Sequence, residues 1–187
     1  MAIAFSGGST NFTSTFTASP AANRAVTVPD SDFTITGNEL TQTLTNKTLT
    51  SPAVTNELAT TIRETTTISA TAATGTINYD AITQSVLYYT TNASGNFTVN
   101  FRGNVSTSLN SVMSTGQSLS ATFLVTNGAT AYYNSAVQVD GSSVTPKWQG
   151  GTAPTSGNAS SIDSYTYVII KTGSAAFTVL ASQTKFA

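Results

Sequence analysis

The sequence predicts an all-β protein in three parts: a short N-terminal β attachment region, an intertwined trimeric shaft and a C-terminal jelly-roll-like β-sandwich. Three observations predict it. Thr (37 residues) and Ser (24) make up about a third of the 187 residues, and β-branched Thr in that density favours extended backbone. Apolar side chains recur at every second position through much of the chain, the period of a half-buried strand. Turn signals built on Gly, Pro, Asn and Asp separate these runs at short intervals.

Residues 1–39 form the predicted attachment region or collar. Phe12 and Phe16 share one side of an extended run whose other side is Thr13, Thr15 and Thr17. Ala25-Val26-Thr27-Val28 leads into a Pro29-Asp30 turn, and Phe33-Thr34-Ile35 is closed by Gly37-Asn38. These small elements have little core of their own, so Phe5, Phe12, Phe16 and Phe33 need partners to be buried. An arm that orders only on docking is the other reading of this region.

Residues 40–64 are the predicted shaft or linker. Leu40, Leu44, Leu49, Val54 and Leu58 stand four or five residues apart among Thr, Asn and Ser. Pro52 forbids a continuous helix. One extended strand cannot bury these side chains against itself, whereas three wound about a common axis can. The five residues are therefore the expected trimer axis.

Residues 65–187 are the predicted sandwich. Ile68, then Ile77 with Tyr79, then Val86 with Tyr88 (or Leu87 with Tyr89) mark three strands. Phe97, Val99 and Phe101 alternate inward, as do Leu119, Ala121, Phe123 and Val125. Asn127-Gly128 reads as a hairpin turn, and Asp140-Gly141 after Val137 and Val139 as a second. Leu109, Val112 and Met113, behind Ser106, Thr107 or Ser108 as N-cap, predict one short helix ending at Gly116. A loop at 149–161 precedes two strands, 165–171 and 176–181, expected to be central. About nine strands are expected in all.

Composition narrows the chemistry. Charged residues are 8% of the chain and the net charge is −1, too little field to steer nucleic acid or an anionic membrane. So little charge suits burial in a permanent assembly better than a free monomer. Cys and His are absent, which removes thiolate and imidazole chemistry and their metal sites. No cofactor and no metal are expected. The start lacks the pattern of a cleaved signal peptide, and the longest apolar run is too short to span a bilayer.

The eight carboxylates are thinly spread. Asp30 and Asp32 read as turn formers, Asp140 as the first residue of a Gly turn, and Asp163 as a cap or ion-pair partner. No pair is placed for glycoside hydrolysis, so no catalytic residue is expected. The candidate ligand-binding residues are aromatic. Trp148 stands at the mouth of the long loop and Tyr132-Tyr133 follow a turn, where exposed rings can stack on a sugar face. A packing anchor or a subunit contact is the competing reading of each. Tyr88-Tyr89 and Tyr165/Tyr167 are expected to be split between core and interface.

Several stretches resemble known structural proteins. Ala22-Asn23-Arg24-Ala25-Val26-Thr27-Val28-Pro29-Asp30 and the stretch from Gln42 to Pro52, with its Leu44-Thr45-Asn46-Lys47-Thr48-Leu49 centre, are similar to segments of fibre-like proteins of tailed bacteriophages. Lys147-Trp148-Gln149-Gly150-Gly151, the strand Tyr165–Thr172 and the end Phe177–Ala187 resemble a terminal domain common in phages of marine cyanobacteria. The resemblance implies a trimeric virion structural protein without enzymatic activity, assembled in the host cytoplasm. It implies an N-terminal part that attaches to other virion proteins and a C-terminal domain that faces outward, with host surface glycan as a possible partner. The chain is shorter than long tail fibres, so a capsid decoration protein, a head fibre or a fibre tip all fit.

Overall fold

The computed structural model describes Thr48 and residues 54–186. Glu57–Ala187 is a compact unit by itself. The attachment region 1–39 and the shaft residues Leu40, Leu44 and Leu49 lie outside the described residues.

This unit is built of two β-sheets, as the alternation predicts. Ten strands are described: β1 (Thr66–Ala72), β2 (Gly75–Asp80), β3 (Val86–Thr91), β4 (Phe97–Arg102), β5 (Ser118–Thr126), β6 (Asn134–Val139), β7 (Ser142–Val144), β8 (Lys147–Trp148), β9 (Ile162–Gly173) and β10 (Ala176–Phe186). The large sheet has the order β1-β3-β5-β9-β10-β8 and the small sheet β2-β4-β6-β7. Successive strands alternate between the sheets, so the chain winds three times round a common core before β7 turns back on β6.

That winding makes the first pairings parallel. Thr66 lies beside Val86 and Val86 beside Thr122 in the large sheet, while Ile77 lies beside Val99 and Val99 beside Val137 in the small one. A jelly roll pairs neighbours antiparallel, so the expectation departs from the pairing here. Each strand's neighbour is reached by way of the opposite sheet, the crossover a parallel pair requires. Antiparallel pairing is confined to β5–β9, β9–β10 and β6–β7.

The inward faces agree with the period-two reading. Phe97, Val99 and Phe101 are buried, as are Ala121, Phe123 and Val125, with Leu119 partly buried against them. In β3 the inward pair is Leu87 and Tyr89. Tyr88 points outward, as expected of a split pair. Tyr165 and Tyr167 are not split: both are fully buried, because residues two apart in a strand share a face. Edge-to-face contacts between Phe101 and Tyr167 (4.8 Å) and between Phe97 and Tyr165 (5.8 Å) join the sheets, each contributing about 0.5–1.5 kcal/mol beyond area burial.

The helix α1 (Leu109–Val112) is capped by Ser108, whose side chain accepts from the Ser111 N–H at 3.1 Å. It is held at both ends by the sandwich. Asp140 accepts from the Leu109 and Asn110 N–H groups (2.6 and 2.9 Å). The buried Lys171 ammonium donates to the Asn110 and Met113 carbonyls (2.5 and 2.8 Å). Negative charge at the first turn and positive charge at the last both favour a helix. Asp140, with φ 50°, and Gly141, with φ 79°, also form the predicted turn between β6 and β7, the left-handed pair a two-residue hairpin needs.

Asn127-Gly128 is not a hairpin. β5 passes instead to β6 in the other sheet, and Asn127 is buried. The last two strands run longer than expected. β9 is central, flanked by β5 and β10, while β8 covers β10 only at Leu180 and Ala181.

Candidate functional site

Trp148 reaches its place through the shortest strand. β8 runs parallel to β10, with Trp148 beside Ala181 and Lys147 beside Leu180. Ala181 is an inward position, so the half-buried indole lies over the rim of the core, edge-on to Tyr165 (6.5 Å) and Tyr167 (6.4 Å). The packing-anchor reading of Trp148 thus has a physical basis. Its remaining surface lines two shallow grooves. One, of about 420 Å³, includes Lys147, Gln149, Thr166, Val168 and Leu180. The other, of about 570 Å³, includes Asn134, Val144, Pro146, Ala153 and Pro154.

Tyr132 and Tyr133 line neither groove. The Tyr132 N–H donates to Asn127 Oδ1 (3.0 Å) and its ring packs partly buried against the core. The Tyr133 N–H donates to Asn96 Oδ1 (3.2 Å), and the Phe97 N–H to the Tyr133 carbonyl (3.2 Å). These bonds hold the β5–β6 connection. The three aromatic candidates are not gathered into one groove lining.

Val54 and Leu58, the axis residues within the described region, are 58% and 96% exposed, and Ile62 beyond them is 70% exposed. Three large apolar side chains at four-residue spacing stand open to water.

Two buried polar clusters escape a period-two reading. Asn134 donates through Nδ2 to the Phe97 and Ala136 carbonyls (3.1 and 2.7 Å) and accepts from the Tyr167 hydroxyl (3.2 Å). Its own N–H donates to the Tyr165 hydroxyl (3.2 Å). Asp163 is fully buried, and its Oδ2 accepts from Asn127 Nδ2 (3.2 Å), the Asn158 N–H (3.0 Å) and Gln183 Nε2 (3.2 Å). Oδ1 has no partner among the described residues. Burial pushes the Asp163 carboxyl above the usual range, opposed by the Asn158 and Gln183 donors and the Lys185 charge.

Gly157 closes this cluster. A Cβ there would stand 2.2 Å from the Tyr132 carbonyl oxygen and 2.7 Å from Asn127 Nδ2. The 149–161 loop is thereby tied to the β5–β6 connection. The sequence signal for the cluster is faint: an Asp at the start of a strongly apolar strand and an Asn beside a Gly. Burial likewise raises the tyrosine hydroxyls. Tyr79, which donates to the Ser85 carbonyl, is pushed up to about 12, and Tyr165 and Tyr167 are raised by the same cause.

Among the described residues no group of three or more acidic, His or Cys side chains is placed to hold a metal ion. No described helix is long and apolar enough to cross a membrane. Compared with protein families, with curated proteins and with solved structures, the chain finds no match.

Proposed function

We propose that the chain is a virion structural protein, a trimeric surface appendage of a tailed phage in the form of a short fibre, a capsid decoration protein or a head fibre. The observation that carries the reading is the open apolar run Val54, Leu58 and Ile62 leading into a β-sandwich. Large side chains regularly spaced and left in water have a simple use if three chains bury them about one axis. Low charge and the resemblance to phage appendages support the same conclusion. The role is mechanical and adhesive, without catalysis and without a cofactor. The N-terminal region attaches to other virion proteins, and the sandwich is the outer part.

The test is mass and place. Light scattering on the purified chain should read three copies of 19.3 kDa, and antibody labelling should decorate intact particles. Leu58→Asp should dissociate the assembly while the sandwich keeps its circular-dichroism spectrum. A monomeric wild-type chain, or particles that bind no antibody, would sink the proposal.

A second reading, a receptor-binding fibre tip that adheres to a host surface glycan, is favoured by the grooves beside Trp148. Purified protein added to host cells before infection should then block adsorption, and Trp148→Ala should abolish the block.

A further inference from the structure

The outer surfaces of the two sheets differ in chemistry. On the large sheet the cross-strand rows facing away from the core are Ser120-Val168-Leu180, Val86-Thr122-Thr166-Ser182 and Ile68-Tyr88-Leu124, the last row ending on Ser164, which is itself buried. A further row joins Thr126, Ile162 and Phe186. None of these residues is charged. Lys147, at the margin on β8, is the one charge in register with them. Ile68 is 67% exposed and Phe186 55%, and Val168 and Leu180 are also exposed large apolar side chains.

We infer that this face is where copies of the chain pack on one another, an inference that rests on the oligomeric reading above and assigns its contact surface in the sandwich. Three features favour a second copy as the occupant. Identical uncharged faces meet without like-charge repulsion, whereas a face without charge offers nothing to steer a charged partner. The exposed Leu58 and Ile62 lie just ahead of β1, the edge strand of this sheet, with Arg63, Glu64 and Thr65 between, and exposed apolar side chains resume on that strand at Ile68. The size also fits. Five long strands about 4.8 Å apart present on the order of 600 Å², against about 800 Å² per partner in a standard interface, and the run ahead of β1 adds to it. Hydroxyls between the apolar groups, such as the Thr166–Ser182 pair at 2.5 Å, can satisfy one another when water is excluded.

The experiment uses the full chain. Sedimentation equilibrium across a dilution series is run on wild type, on Val168→Lys and Leu180→Lys, and on Thr98→Lys, which places the same charge on the outer face of the small sheet. The expected result is at least a tenfold weakening of association for the first two and none for Thr98→Lys. Because the chain has no cysteine, single Cys variants give a second readout that does not depend on the lysine variants folding. Ser120→Cys should react with a maleimide at least tenfold more slowly than Ser143→Cys on the small sheet, and the two rates should converge on dilution. A wild-type trimer with unweakened lysine variants and equal maleimide rates would overturn this inference and leave the trimer standing. A wild-type monomer at every concentration would overturn both. Protection of Ser120→Cys in a monomer would overturn the inference by showing that the chain's own N-terminal residues cover the face.

Discussion

The two sheets share one core and differ on the outside. The small sheet's outer rows are Thr76-Thr98-Ala136, Asn78-Asn100-Gln138-Ser143 and Asp80-Arg102. There Asn100 Nδ2 donates to Asn78 Oδ1 (2.8 Å), the Gly141 N–H donates to Asn100 Oδ1 (2.8 Å), and Arg102 Nε pairs with Asp80 Oδ1 (2.6 Å). The large sheet carries Ile68, Leu124, Val168, Leu180 and Phe186 in the equivalent outward positions. The β period explains why each sheet has a buried side; it does not explain this asymmetry. A polar ladder is suited to water, whereas an uncharged face with Ile68, Val168, Leu180 and Phe186 exposed is a liability for a free monomer. The difference teaches that one core can be closed by two sheets of unlike outer chemistry, and it is this unlikeness that the proposed packing of copies would use.

Variants can break or sharpen that comparison. The largest effect belongs to the shared core and should strike both sheets alike. Phe101→Ala should lower unfolding stability by about 3–5 kcal/mol, and hydrogen exchange should show strands of both sheets deprotected together. Loss of protection in the small sheet alone would mean the sheets are not one cooperative unit. Next comes Gly157→Ala, expected to cost about 2 kcal/mol or more through the clash with the Tyr132 carbonyl. Thermal melting reads it, and an unchanged midpoint would deny that the loop is pinned there.

A smaller effect should appear as pH dependence from Asp163. Its folded pKa is raised, so the folded state holds the proton more tightly than the unfolded chain does. The cost of the buried charge is absent below the ordinary aspartate pKa and fully present above the raised value, so stability falls as pH rises between them. Asp163→Asn should flatten this slope in urea titrations run upward from the ordinary aspartate range; an unchanged slope would assign it to another group. The smallest effects lie on the outer faces of the monomer. Arg102→Met should cost about 0.2–1 kcal/mol and be masked by salt. Leu180→Thr should change monomer stability by less than about 0.5 kcal/mol, although it lies on the proposed contact face. A large monomer loss at Leu180 would erase the distinction between the two faces.

What could be read in advance was local. Alternation placed Phe97, Val99, Phe101, Ala121, Phe123 and Val125 on the inside, because a strand's side chains switch face at every residue whatever lies beside it. Asp140-Gly141 and the capped turn at Ser108 were legible for the same reason: a turn or a cap is settled within four or five residues. Trp148 was read both as an anchor and as a ligand contact, and the structure places it over the core rim and beside two grooves, a position no spacing reveals. Asn127, read as a hairpin turn, and Asp163, read as a cap or ion-pair partner, were misplaced because their roles in the buried cluster depend on Gln183, Asn158 and Gly157, which only folding brings near.

The sequence by itself determined most of the strands and their inward faces. The tertiary structure alone decided which strands are neighbours, and with that the parallel winding. Thr66, Val86 and Thr122 carry no mark of mutual register, since strand pairing is made by backbone groups that every residue possesses. It also decided which outward residues share a surface. Ile68, Leu124, Val168 and Leu180 are scattered single residues along the chain and become one face only when β1, β5, β9 and β10 lie in one sheet.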